Sequence, residues 1–330
     1  MRPPRDAAET RVHDIAQRLA RHQRCDRTGT LTPAHTLSDP LMARLRDFVQ
    51  AGEAVHMVLP AFPAKSPSRR KVLGTLPDLA EALSLDALER LCARIAAIHP
   101  AGARLTICSD GHVFGPTIGV SDPVIDQYQA GIKDMIARRG LRHLDTFCLL
   151  DGEHLHGTAA PTPEQRRAAL MMRHGHPLAD IRSELLRTDG GLRQLRGIIR
   201  FMAEDDWRPD DPRSATQIQR HAKSRAYQVI QHSLAWGNFL QQRFPRSLRL
   251  SIHPQAHGSD KLGIHMLPTA DAWLTPWHAV AVDLGDRTVL MKRHQAENQG
   301  ARLVHVEGRP SHYRVWPDQR RRVLQDRAAA

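Results

Sequence analysis

The stretch FPAKSPSRRKVLGTLPDLAE, residues 62–81, places Lys65, Arg69, Arg70 and Lys71 between two prolines, directly after an apolar run. Cations at this density suit an anion, because ammonium and guanidinium groups form charge-assisted hydrogen bonds to phosphate or carboxylate. A plain solvated basic loop is the other reading, and KVLG lacks the glycine spacing of a P-loop. Three more polar clusters stand in the same position relative to an apolar run. SDGHVF carries Ser109, Asp110 and His112; DGEHLH carries Asp151, Glu153, His154 and His156; IHPQAHGSDK carries His253, His257 and Lys261. TPWHAV adds Thr275, Trp277 and His278. Asp and His are the side chains for proton transfer near neutral pH. SDG is also a common tight turn. The HxH pair in DGEHLH points two imidazoles to one face of a strand, a partial metal site whose spacing supplies no third ligand.

The elements between these clusters alternate. AVHMVLP (54–60), ARLTICSDG (103–111) and LDTFCLLDG (144–152) are short apolar runs, and each of the first two is followed by a loop and an amphipathic helical pattern, LSLDALERLCARIAAIH and SDPVIDQYQAGIKDMIARRG. Strands alternating with helices predict a parallel sheet. Ligands bind such a sheet beyond the carboxyl ends of its strands, which is where all four polar clusters fall. Residues 1–52 predict a helical segment ahead of one α/β domain over 53–330. Within that domain 160–243 is a mostly helical insertion, opened by the capping-box spacing of Thr162 and Gln165. Residues 246–316 are a β-rich part in which several strands are expected antiparallel. The expected fold class is α/β, Rossmann-like, with a mainly parallel central sheet.

The 330 residues carry 47 Lys+Arg against 35 Asp+Glu, a net charge of +12, which attracts polyanions, membranes or phosphorylated ligands. A nucleic-acid binder is one reading of that charge, but aromatics make up only 5%, leaving little for base stacking. Cys25, Cys92, Cys108 and Cys148 form no CxxC pair, as expected of reduced thiols in a cytoplasm. The N-terminus lacks a signal-peptide core and no apolar run is long enough for a membrane span.

Several stretches together match a known family. LPAFPAKSPSRRKVLGTLPDLAEALSL, SDGHVF, YQAGI, GIIRFMAEDDW, AYQVIQHSLAWGNFL, FPRSLRLSIHPQ, KLGIHML, TPWHAV and GRPSHY run in order from about residue 55 to 313. In these the chain resembles the isocyanide (isonitrile) synthases of the pyoverdine and dityrosine biosynthesis type. That resemblance implies conversion of the α-amine of an amino acid, tryptophan or tyrosine, to an isonitrile. The added carbon would come from C2 of ribulose 5-phosphate as cosubstrate, with no metal or organic cofactor, and an iron(II)/2-oxoglutarate oxygenase would act next. Family members often carry Arg where this chain has His112, and an acid near Gly115, so proton transfer or substrate choice is expected to differ here.

With that chemistry in view, Asp110, His112, His253 and His278 are the candidate acids and bases, Asp110 first as base or anchor and His253 first as proton shuttle. Lys65, Ser66, Arg69, Lys71, Ser109, Arg249, Lys261 and Trp277 are the candidate substrate-binding residues, with Arg70 a weaker one. Phe114, Trp236 and Trp277 are possible walls for the substrate ring. Three other readings stay open at this point: a sugar-phosphate-binding relative without turnover, a zinc hydrolase built on the His-rich loops, and the nucleic-acid binder.

Overall fold

The computed structural model describes residues 5–24, 37–152, 161–208, 210–255, 258–271 and 273–316. Helices α1 (Arg5–Ala20) and α2 (Asp39–Ala51) lead into β1 (Val55–Pro60), α3 (Leu79–Ala96) and β2 (Ala103–Ser109). Then come α4 (Gly111–Ile118), α5 (Asp122–Arg138), β3 (Leu144–Cys148) and the single turn α6 (Leu149–Gly152). The parallel sheet extends through β4 (Leu248–Ser251) and β5 (Lys261–Gly263) in the order β3-β2-β1-β4-β5. The chain winds outward from β1 to β3 on one side, then returns to lay β4 on the other. The order therefore reverses beside β1, and that switch point opens a crevice at the carboxyl edge.

Alternate residues of the strands point to opposite faces. Val55, Met57 and Leu59 of β1, with Leu105 and Ile107 of β2, pack with α1, α2, α3 and α5 through residues such as Leu45, Leu88 and Ile132. Val58 and Cys108 face the other way, against Trp236, Phe239 and Leu240. These last belong to α10 (Ala215–Arg243), the longest element of the helical block that also contains α7 (Pro163–His174), α8 (Leu178–Arg187) and α9 (Asp189–Asp206). The block opens on the capping box expected of Thr162 and Gln165.

The expected α/β class with a mainly parallel sheet is found. Within the C-terminal part, β4 and β5 join the main sheet in parallel. A second, mixed sheet of order β7-β6-β9-β8 is built from β6 (Val280–Asp283), β7 (Thr288–Met291), β8 (Arg302–Val306) and β9 (Arg309–Arg314). Helix α11 (Arg293–Asn298) lies between β7 and β8 in sequence. α3 begins earlier than its apolar periodicity indicates, because Asp78 and Glu81 form a capping box that starts it at Leu79. No helix of the described residues is long and apolar enough to cross a membrane.

Candidate active site

A cavity of about 240 Å³ lies at the switch point, beyond β1 and β4 and under α9 and α10. Its apolar lining includes Phe114, Ile198, Phe201, Met202, Ile230, Trp236, Trp273 and Trp277. Its polar lining includes Lys65, Ser66, Asp110, Asp205, Arg249, His253, Lys261, Thr275 and His278, with His253 packed on Trp273 and His278 on Phe201. Residues far apart in sequence, from Pro60 to His278, therefore meet in one pocket. Two backbone features bring the first two together. Phe62 takes the left-handed conformation (φ 56°), uncommon outside glycine, and turns the chain after β1 so that its ring packs on Trp277, centroids 5.2 Å apart. At Gly111 a Cβ would stand 2.1 Å from the Pro63 carbonyl oxygen. Only glycine lets the start of α4 lie this close, and the closeness carries Asp110 to the cavity wall.

The two lysines of the first loop are neutralised within the protein. Lys65 is buried, with Nζ 2.8 Å from Glu81 Oε2, 2.9 Å from Asp78 Oδ2 and 3.3 Å from the Pro276 carbonyl. An ammonium has three protons to donate, and these acceptors use them. Lys71 donates to Asp205 Oδ1 (2.7 Å) and to the Phe201 carbonyl (3.1 Å), with Glu204 Oε2 at 3.4 Å. Ser66 donates to the same Asp205 oxygen at 2.5 Å. These bonds tie the loop to α3, to the end of α9 and to the turn Pro276–His278.

The sequence profile of the pyoverdine/dityrosine biosynthesis proteins matches residues 45–304 of this chain. The chain belongs to that family. It is 48% identical over 274 residues to an L-tyrosine isonitrile synthase of Pseudomonas aeruginosa, covering 83% of each chain. It is 42% identical over 302 residues to an L-tyrosine isonitrile synthase of Xenorhabdus nematophila, covering 92% of this chain and 90% of the other. To an L-tryptophan isonitrile synthase of Fischerella ambigua it is 39% identical over 274 residues, covering 83% and 84%. The crystal structure of the PvcA protein from Pseudomonas aeruginosa superposes with a TM-score of 0.87 at 43% identity, covering 92% of this chain and 99% of that one.

In this member of the family, eleven of the residues singled out in the sequence line the cavity: Lys65, Ser66, Asp110, Phe114, Trp236, Arg249, His253, Lys261, Thr275, Trp277 and His278. Five other candidates, Arg69, Arg70, Lys71, Ser109 and His112, do not line it. Arg69 is exposed, as is Arg70, whose guanidinium stacks 4.1 Å from the Trp207 ring centre. Lys71 is spent on Asp205, Glu204 and the Phe201 carbonyl. Ser109 donates to the Phe62 carbonyl (2.8 Å) and accepts from Gln129 (2.9 Å), which fixes the turn after β1. His112 is fully buried, with Nδ1 3.4 Å from Gln129 Nε2 and Nε2 3.0 Å from Asp126 Oδ1. Lys65 lines the cavity, but its ammonium is engaged with two carboxylates, so it serves as a staple of the wall. Glu153, His154, His156, His257 and Cys25 lie outside the described residues. Asp151 accepts from the Cys148 N–H at 2.8 Å. Among the described residues no group of three His, Cys, Asp or Glu is arranged to hold a metal ion.

Burial governs the titration of the polar lining. Asp110 is partly exposed on the cavity side, but its Oδ1 is sealed without a hydrogen-bond partner. Desolvation raises its pKa to about 7. Burial lowers His253 to about 4, helped by Arg24 and His278. Burial also lowers His278 to about 4, with Asp205 opposing it. Both imidazoles are therefore neutral near pH 7, and the Nδ1 of each is buried without a partner. Thr275 Oγ1 is likewise buried and unpartnered.

Sequence reasoning passed over Asp205, Phe201 and Trp273. The signal for Asp205 was the acid run AEDDW at the end of a helix, which reads as surface until its partner Lys71 is placed.

Proposed function

We propose that this chain is an isonitrile synthase. It would convert the α-amino group of an aromatic amino acid, L-tyrosine or L-tryptophan, to an isonitrile. The carbon would come from C2 of ribulose 5-phosphate. The observation that carries this reading is the cavity itself: aromatic side chains and the acid–base groups Asp110, His253 and His278 line one space, in a chain akin to tyrosine and tryptophan isonitrile synthases. The substrate ring would pack against Phe114, Phe201 and Trp277. The α-ammonium must lose a proton before it attacks the sugar ketone. An Asp110 carboxylate with a pKa of about 7 is suited to accept that proton. The resulting imine then sheds carbon through proton-driven cleavages, for which His253 and His278, neutral near pH 7, can relay protons. Neither a metal nor an organic cofactor is required for these steps.

The departure of this chain from family habit after Asp110 bears on the wall. Phe114 and Ile118 of α4 give the cavity apolar surface there, and His112 lies off it. The buried free thiols Cys92, Cys108 and Cys148, the first and last raised to about 12 and 11 by burial, suit a reducing cytoplasm. An iron(II)/2-oxoglutarate oxygenase would take the product next.

The test is incubation of the purified protein with ribulose 5-phosphate labelled at C2 and each amino acid in turn, read by mass spectrometry. A labelled isonitrile from tyrosine or tryptophan supports the reading. An isonitrile without label removes the sugar phosphate from it, and no isonitrile from any amino acid removes the activity.

A further inference from the structure

The positive charge left over in the cavity is not in the loop that looks richest in it. Arg249 and Lys261 are paired in register on the parallel strands β4 and β5, and both line the cavity. Among the described residues Arg249 donates only to neutral acceptors, Gln241 Oε1 at 3.3 Å and the Gly237 carbonyl at 3.1 Å. Lys261 is half-buried, and among the described residues its ammonium has no hydrogen-bond or ion-pair partner. Asp260 attracts both from beyond ion-pair distance, while Arg44 repels Arg249 and Arg249 repels Lys261. Burial and this repulsion lower the pKa of each below its ordinary value. By contrast, Lys65 and Lys71 each face two carboxylates.

We infer that Arg249 and Lys261 together form the oxyanion subsite of the cavity and hold the phosphate monoester of the sugar substrate, in place of the Lys65–Lys71 loop. The inference rests on the sugar phosphate of the proposed function. Charge selects the occupant. Two adjacent cations, neither ion-paired, are balanced by a dianion, whereas an amino-acid carboxylate balances one. The fork of Arg249 supplies directed N–H donors and Lys261 a mobile point charge, the usual division of labour at a phosphate. The subsite lies on strands, with the acid–base residue His253 two positions beyond the end of β4. A phosphate anchored there leaves the sugar carbons to extend towards His253 and Asp110.

Binding tests this without turnover. The full chain is titrated calorimetrically, at low ionic strength, with inorganic phosphate, with ribulose 5-phosphate and with L-tyrosine. Lys261→Met and Arg249→Met each weaken both phosphate ligands at least tenfold and leave L-tyrosine within twofold. Arg69→Ala leaves all three within twofold. Arg249→Met also loses the bonds to α10, so Lys261→Met, checked by its melting temperature, carries the result. Unchanged phosphate affinity in a folded Lys261→Met variant overturns the inference. So does a loss confined to L-tyrosine, which would give the pair to the carboxylate, and so does a wild-type protein that binds neither phosphate ligand. Because no product is measured, failure of isonitrile formation would leave the binding result standing, and the reverse.

Discussion

Replacing Asp110 with asparagine separates the stability of this protein from its chemistry. Asp110 titrates at about 7 in the fold against an ordinary 3.8, because burial disfavours the carboxylate. A folded pKa raised above the unfolded value means that the native state binds the proton more tightly. Stability is therefore lost as pH rises through the window from 3.8 to 7. The whole gap corresponds to a ceiling of about 4 kcal/mol, of which about 2–3 kcal/mol develops between pH 5 and pH 8. Asp110→Asn keeps the shape without the ionisation. Urea unfolding of both proteins at pH 5, 6, 7 and 8 should show the variant gaining about 2–3 kcal/mol on the wild type across that range. Glu81, raised chiefly by burial, bends both curves in the same direction and cancels in the difference. Over the same range isonitrile formation should fall by at least 100-fold in the variant, since a positioned base contributes about 10²–10⁴. Parallel stability curves for the two proteins would refute the buried-carboxylate reasoning, whatever happened to activity.

Other perturbations follow from the same geometry. Lys65→Met leaves Asp78 and Glu81 buried without their cation and should destabilise the fold by about 3–5 kcal/mol in urea unfolding, with Glu81→Gln in the same chain restoring part of it; a loss below about 1 kcal/mol would show that the staple is not stabilising. Gly111→Ala drives a Cβ to 2.1 Å from the Pro63 carbonyl oxygen and 2.7 Å from Ile125 Cγ2. It should cost about 1–3 kcal/mol and lower kcat through displacement of Asp110, which thermal melts and steady-state kinetics will show. His253→Gln should lower kcat by about 10²–10⁴-fold with a melting temperature close to wild type, and full turnover would remove His253 from the proton relay.

The strands are legible in the sequence because a parallel sheet covered on both faces demands near-continuous apolar runs, and VHMVLP and LTICS supply them. Part of the pocket follows from the same pattern, since the clusters holding Lys65, Asp110 and His253 each close such a run. α4 is hidden by its own composition. Gly115 has non-helical torsions (φ 5°, ψ −94°) and Pro116 follows it, so the segment lacks the uninterrupted periodicity of a helix. The role of the first loop is hidden for a different reason. A run of cations reads the same whether it meets a ligand or the protein's own carboxylates, and Lys71 finds Asp205 across 134 residues of chain. Local spacing cannot supply that partner. Arg249 and Lys261 stand in the opposite case: both are candidates from the sequence, but single cations on two short strands, made neighbours only by the register of β4 and β5.

The electrostatics of the cavity invert the usual order of its acids. In water a carboxylate gives up its proton near 4 and an imidazolium near 6.5. In this pocket Asp110 holds its proton to about 7, whereas His253 and His278 are neutral down to about 4. One cause acts on all three: burial penalises whichever form is charged, so it raises the acid and lowers the bases. Arg24 pushes His253 further down, and Lys71 and Lys65 act in the same direction on His278. At pH 5.5 the proton should therefore sit on the carboxyl and not on either ring. Infrared difference spectra between wild type and Asp110→Asn should show a protonated carboxyl at that pH. Nitrogen NMR of the labelled protein should show both rings neutral. If either imidazole is charged at pH 5.5 while Asp110 is ionised, the pocket is wetter than its geometry implies. Asp110 then loses its standing as a base poised at neutrality, and the amine would have to be deprotonated by one of the two histidines.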